Sequence, residues 1–182
     1  MVKYVSLLVL CFLQCCSSRG TLESKILQGS QGEIDVIVFS STDCPIANAL
    51  APELERIHKD LMSKGGELFL VHIWEGRTFS DANEHAREYG LTMEVLVDND
   101  HELVNRFHAT VTPEAVVVTY DASGKPIIVY QGLINNLFDS PGNRRDKATK
   151  HYVRDAIDAA IDGAIVTPSY RKPTGCIIEQ MK

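Results

Sequence analysis

The stretch Ile34-Asp-Val-Ile-Val-Phe-Ser-Ser-Thr-Asp-Cys44-Pro-Ile-Ala-Asn-Ala-Leu-Ala-Pro52-Glu-Leu-Glu-Arg-Ile57 decides the fold. After a polar stretch from Thr21 to Gly32, the residues from Ile34 to Ser40 are β-branched and almost continuously apolar, the pattern of a strand buried on both faces. Past Ser41-Thr-Asp the period changes: Leu50, Leu54, Ile57 and Leu61 recur at helical spacing, so residues Pro45 to Met62 form an amphipathic helix with a proline in its first turn. Pro52 lies inside that helix and should kink it, because it removes a backbone donor and crowds the preceding turn. Cys44 falls at the turn from strand to helix, where the unpaired amides of the first helical turn favour negative charge.

Working outward, Gly65-Gly66 stops the helix and Glu67 to Trp74 forms a second buried strand. Residues Ser80 to Tyr89 form a polar helix with Ser80 as N-cap and Gly90 as its stop. A short strand at Val95-Leu-Val97 and a short helix from His101 to Phe107 follow, and this alternation argues for parallel βαβ units in an α/β fold. After Val111-Thr-Pro113 the pattern changes to a hairpin, Ala115 to Tyr120 and Ile127 to Tyr130, around the turn Asp121-Ala-Ser-Gly124. Asn135 to Asp146 is a polar loop. A closing helix spans Lys147 to Asp162 with Tyr152, Ile157 and Ile161 on one side, and Pro168 to Lys182 is an extended tail carrying Cys176.

The chain has 182 residues, 45% hydrophobic and 23% charged, enough for one packed domain and not two. A net charge of -6 gives no electrostatic reason to expect nucleic acid. Residues 1–20 place Lys3 ahead of an apolar run and then small and polar residues, the pattern of a secretory signal peptide. That run is roughly half the ~20 residues a membrane span needs. Cys15 and Cys16 follow Leu13 as in a lipoprotein cleavage site, a pattern Gln14 fits poorly; such an anchor is the one route to a membrane. Of five cysteines, Cys11, Cys15 and Cys16 belong to this leader, which leaves Cys44 and Cys176 in a domain spanning 25–180. With no CxxC and no HxxxH, neither a metal nor another cofactor is expected.

Phe39 to Leu54 resembles the active-site strand, turn and kinked helix of the thioredoxin superfamily, with Cys44 and Pro52 carrying the match, and Val111-Thr-Pro113-Glu-Ala resembles its cis-proline loop. More narrowly, Asp43-Cys-Pro-Ile-Ala-Asn48, Thr112-Pro-Glu-Ala115, Tyr130-Gln-Gly-Leu-Ile-Asn-Asn136 and Gly175-Cys-Ile177 resemble an exported bacterial redoxin group within the alkyl hydroperoxide reductase and thiol-specific antioxidant class. The resemblance implies a thioredoxin-like three-layer α/β/α sandwich, with a central mixed sheet that is parallel in its βαβ half and antiparallel in its hairpin half. It implies a cis peptide at Pro113, a nucleophile at Cys44, and Thr112, Pro113, Pro45 and Thr42 facing substrate. Two departures stand out: Ala47 occupies the place of a dithiol thioredoxin's second cysteine, and Ile37 the place of the proline in a peroxiredoxin PxxxTxxC pattern.

Thiol chemistry needs a thiolate, and a free cysteine with a pKa of about 8.5 is mostly protonated at neutral pH. Asp43 beside Cys44 opposes ionisation, while Thr42 or Ser41 offers a hydrogen bond to the sulfur. Cys176 on a flexible tail is the natural resolving thiol. The alternative is a structural Cys44–Cys176 disulfide, which by loop-closure arguments would contribute about 3 to 5 kcal/mol; a third case has no bond between them. His72 and Trp74 read as core or sheet-edge residues, His101 and His108 as locally satisfied, and Arg77, Arg87 and Arg106 as surface charges. The leading expectation is a periplasmic or outer-face thiol-disulfide oxidoreductase acting on protein thiols or disulfides. The alternatives are a thiol peroxidase taking peroxide, disfavoured by Ile37, and a redox-inert binding module, favoured by Ala47.

Overall fold

A computed structural model describes residues 21–73, 76 and 78–179; residues 1–20, where a signal peptide is expected, and Trp74 and Arg77 lie outside them. The elements are α1 (Leu22–Ile26), β1 (Ile34–Ser40), α2 (Pro45–Met62), β2 (Glu67–His72), α3 (Phe79–Glu88), β3 (Glu94–Val97), α4 (Glu102–Phe107), β4 (Val111–Thr112), β5 (Glu114–Tyr120), β6 (Pro126–Gly132), β7 (Phe138–Ser140), β8 (Asn143–Arg144), α5 (Tyr152–Ile161), β9 (Tyr170–Arg171) and β10 (Cys176–Ile177). Six strands form one sheet in the order β3-β2-β1-β5-β6-β9. Its first three strands are parallel and β5 and β6 run antiparallel, the mixed sheet expected.

All seven residues of β1 are buried because helices cover both faces of the sheet. Val36 and Val38 enter a core with Leu50, Leu54, Ile57 and Leu61 of α2 and Val153, Ala156 and Ile157 of α5. Ile37 and Phe39 point the other way, into a core with Ile26 of α1 and Leu103, Val104 and Phe107 of α4. The period-two alternation of one strand thereby holds three layers together. Pro52 sits within α2, which continues unbroken from Pro45 to Met62.

Buried carboxylates fix the layers to one another. Asp98, fully buried, accepts from the amides of Glu102, Leu103 and Val104 at 2.7, 3.0 and 2.9 Å and so starts α4, though burial lifts its carboxyl above the usual range. Glu53 of α2 accepts from Arg154 of α5 at 2.8 Å and from Arg56. Burial opposes the Glu53 charge, but the two guanidiniums outweigh it and hold its carboxyl below the ordinary range. Asp35 receives the Tyr120 hydroxyl at 2.6 Å and the Glu67 amide at 3.0 Å.

Five expectations need correction. Residues 22–26, read as part of a polar stretch, form α1, because Glu102 of α4 accepts from the amides of Leu22 and Glu23 at its start. Thr78, not Ser80, caps α3: its hydroxyl accepts from the Asp81 amide while Asp81 accepts from the Thr78 amide, a reciprocal capping box. The closing helix starts at Tyr152, not Lys147, because the Asn136 side-chain oxygen takes the amides of Thr149 and Lys150 and holds them outside it. Ile161 of that helix is exposed, and Val153 and Ala156 join Ile157 on the core side instead. The loop from Asn135 to Asp146 contains the β7–β8 hairpin, and Asn135 and Asn136 are buried.

The tail, expected to be flexible, is tied down as well. Two of its segments are held by pairing: β9 adds to the sheet beside β6, and β10 pairs with β4. The first junction depends on Gly132, whose φ of +126° is open to glycine, and whose added Cβ would lie 1.7 Å from the Arg171 carbonyl oxygen. Gly132→Ala should therefore cost about 2 kcal/mol or more, read as a lower denaturant midpoint together with faster amide exchange at Tyr170 and Arg171. Unchanged stability would show that β9 does not need this close approach.

Candidate functional site

Cys44 precedes the first residue of α2, in extended conformation with Pro45 at the first helical position. It is 1% exposed, and its thiol donates to the carbonyl oxygen of Thr112 at 2.9 Å. Thr112 ends β4, the Thr112–Pro113 peptide is cis, and both residues are buried. Across β4 lies β10, antiparallel, with Cys176 directly opposite Thr112 and Ile177 opposite Val111. The tail approaches so closely that a Cβ on Gly175 would stand 2.1 Å from the Thr112 carbonyl oxygen. Cys44, Cys176, Thr112 and Pro113 are thus gathered at one point, both cysteines as thiols.

The two thiols are electrostatically unequal. Burial pushes Cys44 up, but the Cys176 thiol, the amides of Ala47 and Cys176 and the Thr112 side chain outweigh it, so its pKa lies below the ordinary thiol value. Burial, the bond to Cys44 and the charge of Cys44 push Cys176 up to about 11. Cys44 is therefore the sulfur poised to ionise and Cys176 the one that keeps its proton.

The remaining predicted residues are placed differently. Pro45 is exposed at the helix start. The Thr42 hydroxyl has no hydrogen-bond partner among the described residues, and the Ser41 hydroxyl accepts from the Asp43 amide at 3.4 Å, so neither donates to the sulfur as expected; that role falls to Cys176, Ala47 and Thr112. Cys176 does not swing on a flexible tail but is held by the β4 pairing.

Sequence reasoning missed a polar relay behind the turn. Asn48 donates to the Thr42 carbonyl at 3.0 Å and accepts at its side-chain oxygen from His85 Nε2 at 2.9 Å. His85 stacks edge-on with His72, ring centres 5.1 Å apart. His72 is 2% exposed with both ring nitrogens unpartnered among the described residues, and burial, with a smaller contribution from His85, lowers its pKa to about 4. Burial lowers His85 as well, partly offset by the charges of Glu88 and Asp43. Asn48 belonged to a recognisable motif; His72 and His85 carried no local signal. Arg106 pairs with Glu23 at 2.7 Å and Arg87 is exposed, while His101 is buried and His108 exposed, both with positive φ. Among the described residues no three His, Cys, Asp or Glu side chains are grouped to hold a metal, and no helix is long and apolar enough to cross a membrane.

No family model and no curated protein matches this chain. Among solved structures, an uncharacterized conserved protein from Geobacillus kaustophilus superposes with a TM-score of 0.69 at 25% identity, over 88% of this chain and 82% of that one. A hypothetical protein from Sinorhizobium meliloti 1021 gives 0.67 at 22% identity, over 81% and 80%. A secreted disulfide oxidoreductase from Mycobacterium tuberculosis is more distant, with a TM-score of 0.45 at 20% identity over 73% and 83%. The mixed sheet, its two helical layers and the cysteine at the β1–α2 turn beside a cis-proline define a thioredoxin-like α/β fold.

Two measurements follow from this electrostatic picture. Thiolate absorbance, taken as the difference from a Cys44→Ala chain, should show Cys44 ionising below the ordinary thiol range, and Cys176→Ala should move that midpoint upward by removing a donor. An unmoved midpoint would disprove the coupling. For His72, folding disfavours the proton, so nothing is lost above its unfolded value of 6.5, and about 3 kcal/mol is lost as pH falls from there to about 4. His72→Leu should flatten the fall in stability over that window, measured by denaturant unfolding at each pH; an equally steep fall would refute the assignment.

Proposed function

We propose that this protein is an exported thiol-disulfide oxidoreductase acting on protein disulfides, with Cys44 as nucleophile and Cys176 as resolving thiol. The single observation that carries the reading is the asymmetric thiol pair, Cys44 lowered and Cys176 raised to about 11 while in contact. The export part rests on the sequence of residues 1–20.

The Cys44 thiolate attacks one sulfur of a client disulfide, forms the mixed disulfide and expels the other client sulfur as thiolate. That step removes the Cys44 negative charge, and with it two of the causes that raise Cys176. Cys176 then loses its proton more readily and attacks the Cys44 sulfur, releasing the second client thiol and leaving a Cys44–Cys176 disulfide. The client gains two electrons and this pair loses them; an external dithiol restores it. Thr112 and Pro113 border the path of the incoming sulfur, and Pro45 forms its exposed rim, with Thr42 beside it.

In an insulin-reduction assay with dithiothreitol, Cys44→Ser should fall to background, whereas Cys176→Ser should form a stoichiometric mixed disulfide that resolves slowly. Titration in glutathione buffers should show a reversible Cys44–Cys176 couple between about -120 and -270 mV. A bond that stays closed below about -300 mV, with no insulin reduction, would identify a structural clasp and a binding module instead.

A further inference from the structure

We propose that β10 is a tethered copy of the substrate, and that the edge of β4 accepts an extended peptide of pattern Gly-Cys-x-apolar once the tail lifts away. This inference rests on the oxidoreductase reading and names its substrate class. Four observations support it. First, a sulfur attacked by Cys44 must lie where the Cys176 sulfur lies, and the backbone there is fixed by antiparallel pairing of Cys176 with Thr112 and Ile177 with Val111. The Ile178 amide extends the pairing by donating to the Thr110 carbonyl at 3.0 Å. Main-chain pairing of this kind accepts any extended strand, and its side-chain pockets set the selectivity.

Second, the residue before the cysteine has no room for a side chain, because a Cβ at Gly175 would overlap the Thr112 carbonyl. Third, the two residues after the cysteine sit in opposite environments. Ile177 is 82% exposed, whereas Ile178 is 6% exposed and joins the core that holds Phe39 and Phe107. Fourth, Cys44 is itself 1% exposed and the Cys176 thiol lies against its sulfur, so a client sulfur takes that place once β10 moves aside. The tail both closes the site and records the side-chain pattern that the site accepts.

The test uses the full chain carrying Cys176→Ser and pentapeptides whose cysteine is activated as a mixed disulfide with thionitrobenzoate. Attack by the Cys44 thiolate joins its sulfur to the peptide and releases thionitrobenzoate, and mass spectrometry locates the adduct on Cys44. Thr-Gly-Cys-Ile-Ile should react fastest. Thr-Ala-Cys-Ile-Ile should be slower by about tenfold through overlap with the β4 backbone, and Thr-Gly-Cys-Ile-Ser by about tenfold through loss of a buried apolar side chain. Thr-Gly-Cys-Ser-Ile should stay within about twofold, since that position faces solvent. A further Gly175→Ala change in the protein should push β10 off its own edge and speed reaction with Thr-Gly-Cys-Ile-Ile. Equal rates for all four peptides would overturn the tethered-substrate inference and leave the oxidoreductase reading standing. No Cys44 adduct with any peptide, nor with free dithiobis(nitrobenzoate), would overturn both.

Discussion

Thr112 is the residue on which the two halves of the site depend. Its carbonyl receives the Cys44 thiol, its side chain favours the Cys44 thiolate, and its strand pairs with the one that carries Cys176. The carbonyl link fixes the turn after β1, and the strand pairing fixes the segment at Cys176, far along the chain from Thr112. A two-residue pairing is weak alone, and here it is reinforced from both sides. Glu114, just past Pro113, accepts from the Thr110 amide and from Gln131 of β6, and so holds the loop that carries β4 against the sheet.

The electrostatics of the cysteine pair follow from that geometry more than from local sequence. The Cys44 thiolate gains from one amide in its own helix, but its largest support comes from the Cys176 thiol brought to it by the tail. The same contact raises Cys176, since a proton shared toward one sulfur is harder to take from the other. Asp43, expected to oppose the thiolate, exerts its charge on His85.

What could be read from the sequence was what is locally encoded. The continuous apolar run of β1, the helical period of α2, the glycine stops and the Asp121–Gly124 hairpin all follow from nearest neighbours, and with them the parallel and antiparallel halves of the sheet and the placement of Cys44. The Thr78 cap of α3 is local, made with Asp81, but the other misplaced boundaries share one cause: a distant partner sets them. Glu102 starts α1, Asn136 delays α5, and Thr112 anchors a tail that reads as unstructured. In the site, Cys44, Cys176, Thr112 and Pro113 were recognisable by residue type and motif. His72 and His85 were not, because only the packing of β2 against α3 brings their rings together.

The short outer strands have a bearing on how this molecule behaves among its copies. The sheet ends on four-residue β3 at one side and two-residue β9 at the other, and Glu94 on β3 is held in an ion pair with Lys25. Long, flat, apolar edges would invite strands from neighbouring molecules to add on. Brief borders, one carrying a paired charge, offer little template for such growth, so the apolar interior strands of this sheet are kept away from the two places where a foreign strand could add.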